Sequence, residues 1–160
     1  AWAEMREAQT NTLKLKNTGM IVTTDLVTNP YDIHPTNKQD VGKRLVAVAL
    51  HNSYNQKAIV FSGPTFKSFE NKEGKTILTF DNIASGLTTT DKYGYIKGFE
   101  VAGEDHIFHF AKAEILDNKV ILTCNKVNKV VAVRFGWVGD GLSFSGVTDF
   151  AFAALYKCNN

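Results

Sequence analysis

The chain has 160 residues, enough for one domain or for a small domain joined to part of another. Hydrophobic residues make up 44% and charged residues 21%, a globular balance that excludes disorder. The formal charge of +2 is spread thinly and no basic run is interleaved with aromatics, so no nucleic-acid partner is expected. No apolar stretch approaches the ~20 residues that span a bilayer, so no membrane partner is expected either.

The chain opens without Met in a helix-forming run, Ala1-Trp2-Ala3-Glu4-Met5-Arg6-Glu7-Ala8, as a processed or partial chain would. Trp2, Met5 and Ala8 recur at three-residue spacing and mark the apolar face of an amphipathic helix. Next, Gly19-Met20-Ile21-Val22-Thr23-Thr24 is β-branched and apolar, and predicts a buried strand ending at Asp25. A proline-punctuated loop follows, Asn29-Pro30-Tyr31-Asp32-Ile33-His34-Pro35. Thr36 and Gln39 form a capping box for a helix over 37–52, with Val41, Leu45, Val48 and Ala49 at helical spacing. Gly42 offers that helix a place for close packing, Arg44 faces solvent or pairs locally, and His51 lies late, where a cation suits the dipole.

From residue 58 the pattern becomes strand-like. Runs at 58–62, 75–80, 99–101, 106–110, 120–123 and 130–135 are separated by turn signals such as Gly63-Pro64, Asn71-Lys72-Glu73-Gly74 and Asp117-Asn118. This spacing predicts an antiparallel sandwich. The fold class is therefore an α/β segment over 1–56, the closing part of an SGNH or flavodoxin-like hydrolase domain, followed by an all-β antiparallel sandwich over 57–160.

Open α/β folds place ligands beyond the C-terminal ends of their strands. The loop after Asp25 lies at such an end and carries Asp32 and His34. Imidazole accepts a proton near neutrality, with an ordinary pKa of about 6.5, and a nearby carboxylate would orient it. His34 is the candidate general base. Asp32 is the favoured carboxylate, with Asp25 or no acid as alternatives. His106 and His109 stand three apart, on opposite sides of a strand, so with Asp105 they do not suggest a metal site. No cofactor is indicated. Tyr93, Tyr95 and Trp137 are compatible with a sugar-stacking surface, but packing is the preferred reading. Cys124 and Cys158 permit one disulfide, with two buried free thiols preferred.

The string Asp32-Ile33-His34-Pro35-Thr36-Asn37-Lys38-Gln39-Asp40-Val41-Gly42-Lys43-Arg44-Leu45 resembles the block around the catalytic histidine of sialate O-acetylesterases. Trp2-Ala3-Glu4-Met5-Arg6-Glu7-Ala8-Gln9, Asn17-Thr18-Gly19-Met20, Ser62-Gly63-Pro64, Gly98-Phe99-Glu100-Val101-Ala102-Gly103 and Val131-Ala132-Val133-Arg134-Phe135 resemble other segments of that family, in order. The resemblance implies the C-terminal part of an SGNH-type serine esterase that removes acetyl groups from sialic acids or related sugars, xylan being another such substrate. It implies His34 as base and an acetylated sugar as substrate. The N-terminal remainder of the hydrolase, in the same protein or a companion chain, would supply the nucleophile. A periplasmic, secreted or lysosomal location is expected on the same ground. No Gly-Asp-Ser nucleophile block occurs in the chain, so the chain alone is expected to be inactive. A non-catalytic carbohydrate-binding or structural β module is the alternative. Two departures stand out: the position three before His34, where many SGNH hydrolases carry the triad aspartate, is Tyr31, and 139–160 do not resemble the family's usual ending.

Overall fold

The computed structural model describes residues 2–26, 34, 36–89, 91–137 and 155–158, with the backbone alone for residues 2 and 155–158. Helix α1 spans Trp2–Asn11 and α2 spans Lys38–Asn52; both precede the eight strands found among the described residues. On α1 the expected apolar face is displaced. Met5 is 55% exposed, and Ala3 is the buried residue, with Arg6, Glu7 and Thr10 half-buried along the same side. Helical spacing of three and four residues lines those four up. Arg6 is drawn in because its Nη2 donates to the carbonyl of Gly136, 2.5 Å away, tying α1 to the far end of the β region. Burial pushes its guanidinium pKa down from the ordinary value.

Residues 19–23 form no strand, a correction to the expected buried strand ending at Asp25. A strand owes its regularity to ladder partners, and among the described residues none runs beside this segment. It packs against α2 instead. A Cβ on Gly19 would stand 2.5 Å from Val48 Cγ1, so the close approach needs glycine here, whereas Gly42 has open space around it.

Helix α2 is capped by Asn37, one residue later than the expected Thr36–Gln39 box. The Asn37 side chain accepts from the Asp40 backbone N–H at 3.1 Å and donates to Asp40 Oδ2 at 2.7 Å, so Asn37 caps the helix and Asp40 holds its amide in place. Lys43 Nζ adds a bond to Asp40 Oδ1 at 3.0 Å. At the other end the His51 ring stacks on Phe61, with centroids 3.9 Å apart and planes 18° apart. The 58–62 run, expected as a strand, is irregular for this reason: it lies against the end of α2 and joins no sheet.

Beyond Pro64 two antiparallel four-stranded sheets form. One has the order β1 (Thr65–Lys72), β2 (Lys75–Asp81), β6 (Lys119–Thr123), β5 (Lys112–Leu116); the other has β4 (His109–Phe110), β3 (Phe99–Ala102), β7 (Ala132–Phe135), β8 (Leu155–Cys158). Alternate residues from both sheets meet in one core: Leu78 and Phe80, Val120 and Leu122, Phe99 and Val101, Val133 and Phe135. Each such side chain, fully buried, stabilises the fold by roughly 1.5–3 kcal/mol. The predicted sandwich is therefore present. The 106–110 run shortens to β4, and β1, β5 and β8 lie outside the predicted runs.

Strand β1 hides because its two phenylalanines, Phe66 and Phe69, are three residues apart, which in a regular strand puts them on opposite faces. The register shifts between Phe66 and Ser68, and this bulge returns both rings to the core side. The hairpin turns follow their sequence signals. Glu73-Gly74 and Asp117-Asn118 all take positive φ, as two-residue turns of type I′ require.

Candidate active site

The segment holding the expected catalytic residues is anchored at its start. Thr24–Leu26 forms a single 3-10 turn, and Asp25 in it meets Arg44 on the second turn of α2. Arg44 Nη1 donates to Asp25 Oδ1 at 2.7 Å and Nη2 donates to Oδ2 at 2.5 Å, a planar fork on a planar carboxylate. Nη1 also donates to the Val22 carbonyl at 2.6 Å. The hydrogen bonds to Asp25 hold the Arg44 guanidinium pKa above its ordinary value. Arg44 thus neither faces solvent nor pairs locally. It fastens the entry of the loop to α2. Asp25, the alternative triad carboxylate, has both oxygens engaged in this fork.

His34 lies at the other end, four positions ahead of α2, with an exposed side chain. The Asn37–Asp40 cap organises the backbone just after it, where Lys38 N–H donates to the Thr36 carbonyl at 2.9 Å. Asp25 is therefore tied to α2 through Arg44, and His34 stands ahead of the capped N-terminus of the same helix. Asp32, the favoured partner of His34, lies outside the described residues. Arg44 had no local signature in the sequence, because an ion pair across a loop repeats at no fixed spacing.

Among the described residues no group of three or more histidine, cysteine, aspartate or glutamate side chains comes together. His106 is exposed at positive φ and His109 is half-buried on β4. Cys124 is a half-buried free thiol, and the side chain of Cys158 lies outside the described residues. A buried ion pair crosses β3 and β7: Arg134 Nε and Nη2 donate to the two carboxylate oxygens of Glu100 at 2.9 and 3.1 Å, and Phe108 covers the guanidinium at 3.9 Å. Glu100 and Arg134 face each other directly in the register, which identifies the pair as a cross-strand bond within the sandwich.

No family model and no curated protein matches the chain. Among solved structures it is similar to a carbohydrate acetylesterase from Xanthomonas citri, described as novel, with 38% identity and a TM-score of 0.77. The match covers 98% of this chain and 36% of that one. No described helix is long and apolar enough to cross a membrane. At that identity and coverage, the chain is homologous to a portion of that bacterial carbohydrate acetylesterase, about a third of its length.

Proposed function

We propose that this chain is the C-terminal portion of a carbohydrate O-acetylesterase of the SGNH type, acting on O-acetylated sialic acid or a related sugar. The observation that carries the reading is the match to a carbohydrate acetylesterase along 98% of the chain. The resemblance of the block from Asp32 to Leu45 to the histidine block of sialate O-acetylesterases narrows it further. Residues 1–56 belong to the hydrolase domain and 57–160 to the sandwich.

In this reading His34 takes the proton of a serine hydroxyl supplied by the N-terminal remainder of the hydrolase, in the same protein or a companion chain. The serine oxygen attacks the acetyl carbonyl carbon. The bond from that carbon to the sugar oxygen then breaks, and His34 returns its proton to the leaving sugar hydroxyl. Water repeats the cycle on the acetyl-enzyme: His34 takes its proton, acetate leaves, and the serine is reprotonated. Asp32 orients the imidazole and stabilises its charged form. Arg44 and Asp25 position the loop without touching substrate. The same chemistry would serve acetylated xylan, since the sugar is chosen by a pocket that lies largely in the remainder of the hydrolase.

The reading predicts that the 160-residue chain alone has no esterase turnover, while the complete enzyme does. Both are incubated with a chromogenic acetyl ester and titrated with a serine-directed phosphonate. The expected result is turnover and labelling of one serine in the complete enzyme alone. Stoichiometric labelling and turnover in the isolated chain would contradict the placement of the nucleophile outside it.

A further inference from the structure

A loop on the sandwich presents two tyrosine rings to solvent, and its own polar groups are spent holding it in that shape. Asp91 Oδ1 accepts from the backbone N–H of Tyr93 at 2.9 Å and of Tyr95 at 3.4 Å, and the Asp91 carbonyl accepts from Gly94 N–H at 2.9 Å. Thr89 Oγ1 donates to the Tyr95 carbonyl at 3.1 Å and accepts from Asp91 N–H at 3.2 Å. Gly94 sits at φ +78°, a conformation that glycine adopts without strain. Tyr95 also bridges to Glu114 on β5, an edge strand, so the tip is stitched to the sheet.

What this built turn displays is aromatic. Tyr93 is 69% exposed and Tyr95 37%, with ring centroids 6.4 Å apart and planes tilted by 32°. Lys92 Nζ stands 4.7 Å from the Tyr93 centroid and Lys112 Nζ 4.7 Å from that of Tyr95. Lys112 is paired to Glu114 at 3.1 Å, whereas among the described residues no carboxylate pairs with Lys92.

The charges decide what fits. Lys92 and Lys112 balance Asp91 and Glu114, so the site has no net attraction for a polyanion or a polycation. Two adjacent amphipathic rings, with the Lys92 ammonium over the first, suit a neutral ligand that has apolar C–H faces and a rim of hydroxyls. A pyranose ring has that form: its C–H face stacks on an aromatic ring and its hydroxyls accept from the ammonium.

We propose that Tyr93 and Tyr95, with Lys92, form a binding subsite on the sandwich for a neutral pyranosyl chain. The inference goes beyond the esterase reading and borrows from it only the sugar class. Binding and hydrolysis are measured separately, so one can fail while the other stands.

The test is affinity electrophoresis of the 160-residue chain through gels holding soluble neutral xylan or hydroxyethyl cellulose, with calorimetry on xylohexaose. Circular dichroism confirms folding of each variant. Retardation is expected to survive high salt, Tyr93→Ala and Tyr95→Ala should each weaken binding roughly tenfold, and Lys92→Ala should weaken it less. Tyr54→Ala, which alters another tyrosine 71% exposed, should leave it unchanged. Absence of retardation by any neutral polysaccharide would overturn the proposal. So would binding insensitive to the Tyr93→Ala/Tyr95→Ala double variant, or binding confined to polygalacturonate and lost in salt.

Discussion

Arg44 is the residue on which the geometry of the candidate site turns most visibly. Its guanidinium makes two hydrogen bonds to Asp25 and one to Val22, and Asp25 retains only 11% of its side-chain exposure. Arg44→Ala leaves that carboxylate largely desolvated and unpaired, and should destabilise the chain by about 1–3 kcal/mol. Arg44→Lys should recover only part of this, because an ammonium cannot reproduce the fork. Urea unfolding measures both, and an unchanged midpoint in Arg44→Ala would remove the anchor from the account. Asp40 makes a separate prediction, about pH. Hydrogen bonds from Lys43 and Asn37 hold its folded pKa below the ordinary carboxylate value. The folded state therefore favours the charged form. The resulting stabilisation is complete above the ordinary carboxylate range and is lost as pH falls through the lowered folded pKa. In Asp40→Asn, thermal melts recorded from neutral to strongly acidic pH should show a shallower acid decline than in the parent. Parallel curves would contradict this.

At the scale of elements, legibility depended on whether local chemistry agreed with tertiary packing. Glycine at position 74 and Asp-Asn at 117 and 118 announce positive-φ turns, and the turns are there. Strands β2, β3 and β6 are short runs of apolar and β-branched residues close to turn signals and are readable for that reason. Strand β5 is not, because Lys112, Ala113, Glu114 and Leu116 are good helix formers, and only pairing with β6 makes them a strand. Residues 19–24 are the reverse case: β-branched residues that predict a strand but form none without ladder partners. Strand β1 escapes because its bulge breaks the two-residue period. Deleting Lys67, the extra residue at the register shift, should leave Phe66 and Phe69 two positions apart, both on the core side of a regular strand with the register from Ser68 onward kept. Stability should change by less than about 1 kcal/mol, since the exposed Lys67–Asp81 pair adds little. A loss of about 2 kcal/mol in urea, the worth of one large apolar side chain, would show that the deletion turned one ring outward and that the bulge does not set the register. In the candidate site, His34 and Asp25 were legible as polar residues of a loop beside a helix. The Arg44 clamp was not, because contact across a loop leaves no periodic trace.

On the scale of the whole molecule, a specific contact joins α1 to the sandwich: Arg6 reaches Gly136 just after β7. At the end of α2, His51 stacks on Phe61 in the segment that leads into β1. The relationship to a carbohydrate acetylesterase runs along nearly the entire chain while spanning 36% of that protein. On the proposed reading, the segment ahead of α2 delivers His34 to a serine carried elsewhere. The central claim is that His34 is the base. Its most direct test is steady-state hydrolysis of an acetylated sugar by the complete enzyme and by its His34→Ala variant, with circular dichroism to establish that both are folded. The account predicts a loss of roughly 10⁴ to 10⁶ in turnover, the scale seen when a member of a catalytic triad is removed. A folded His34→Ala enzyme that kept a tenth of the parent turnover would contradict it.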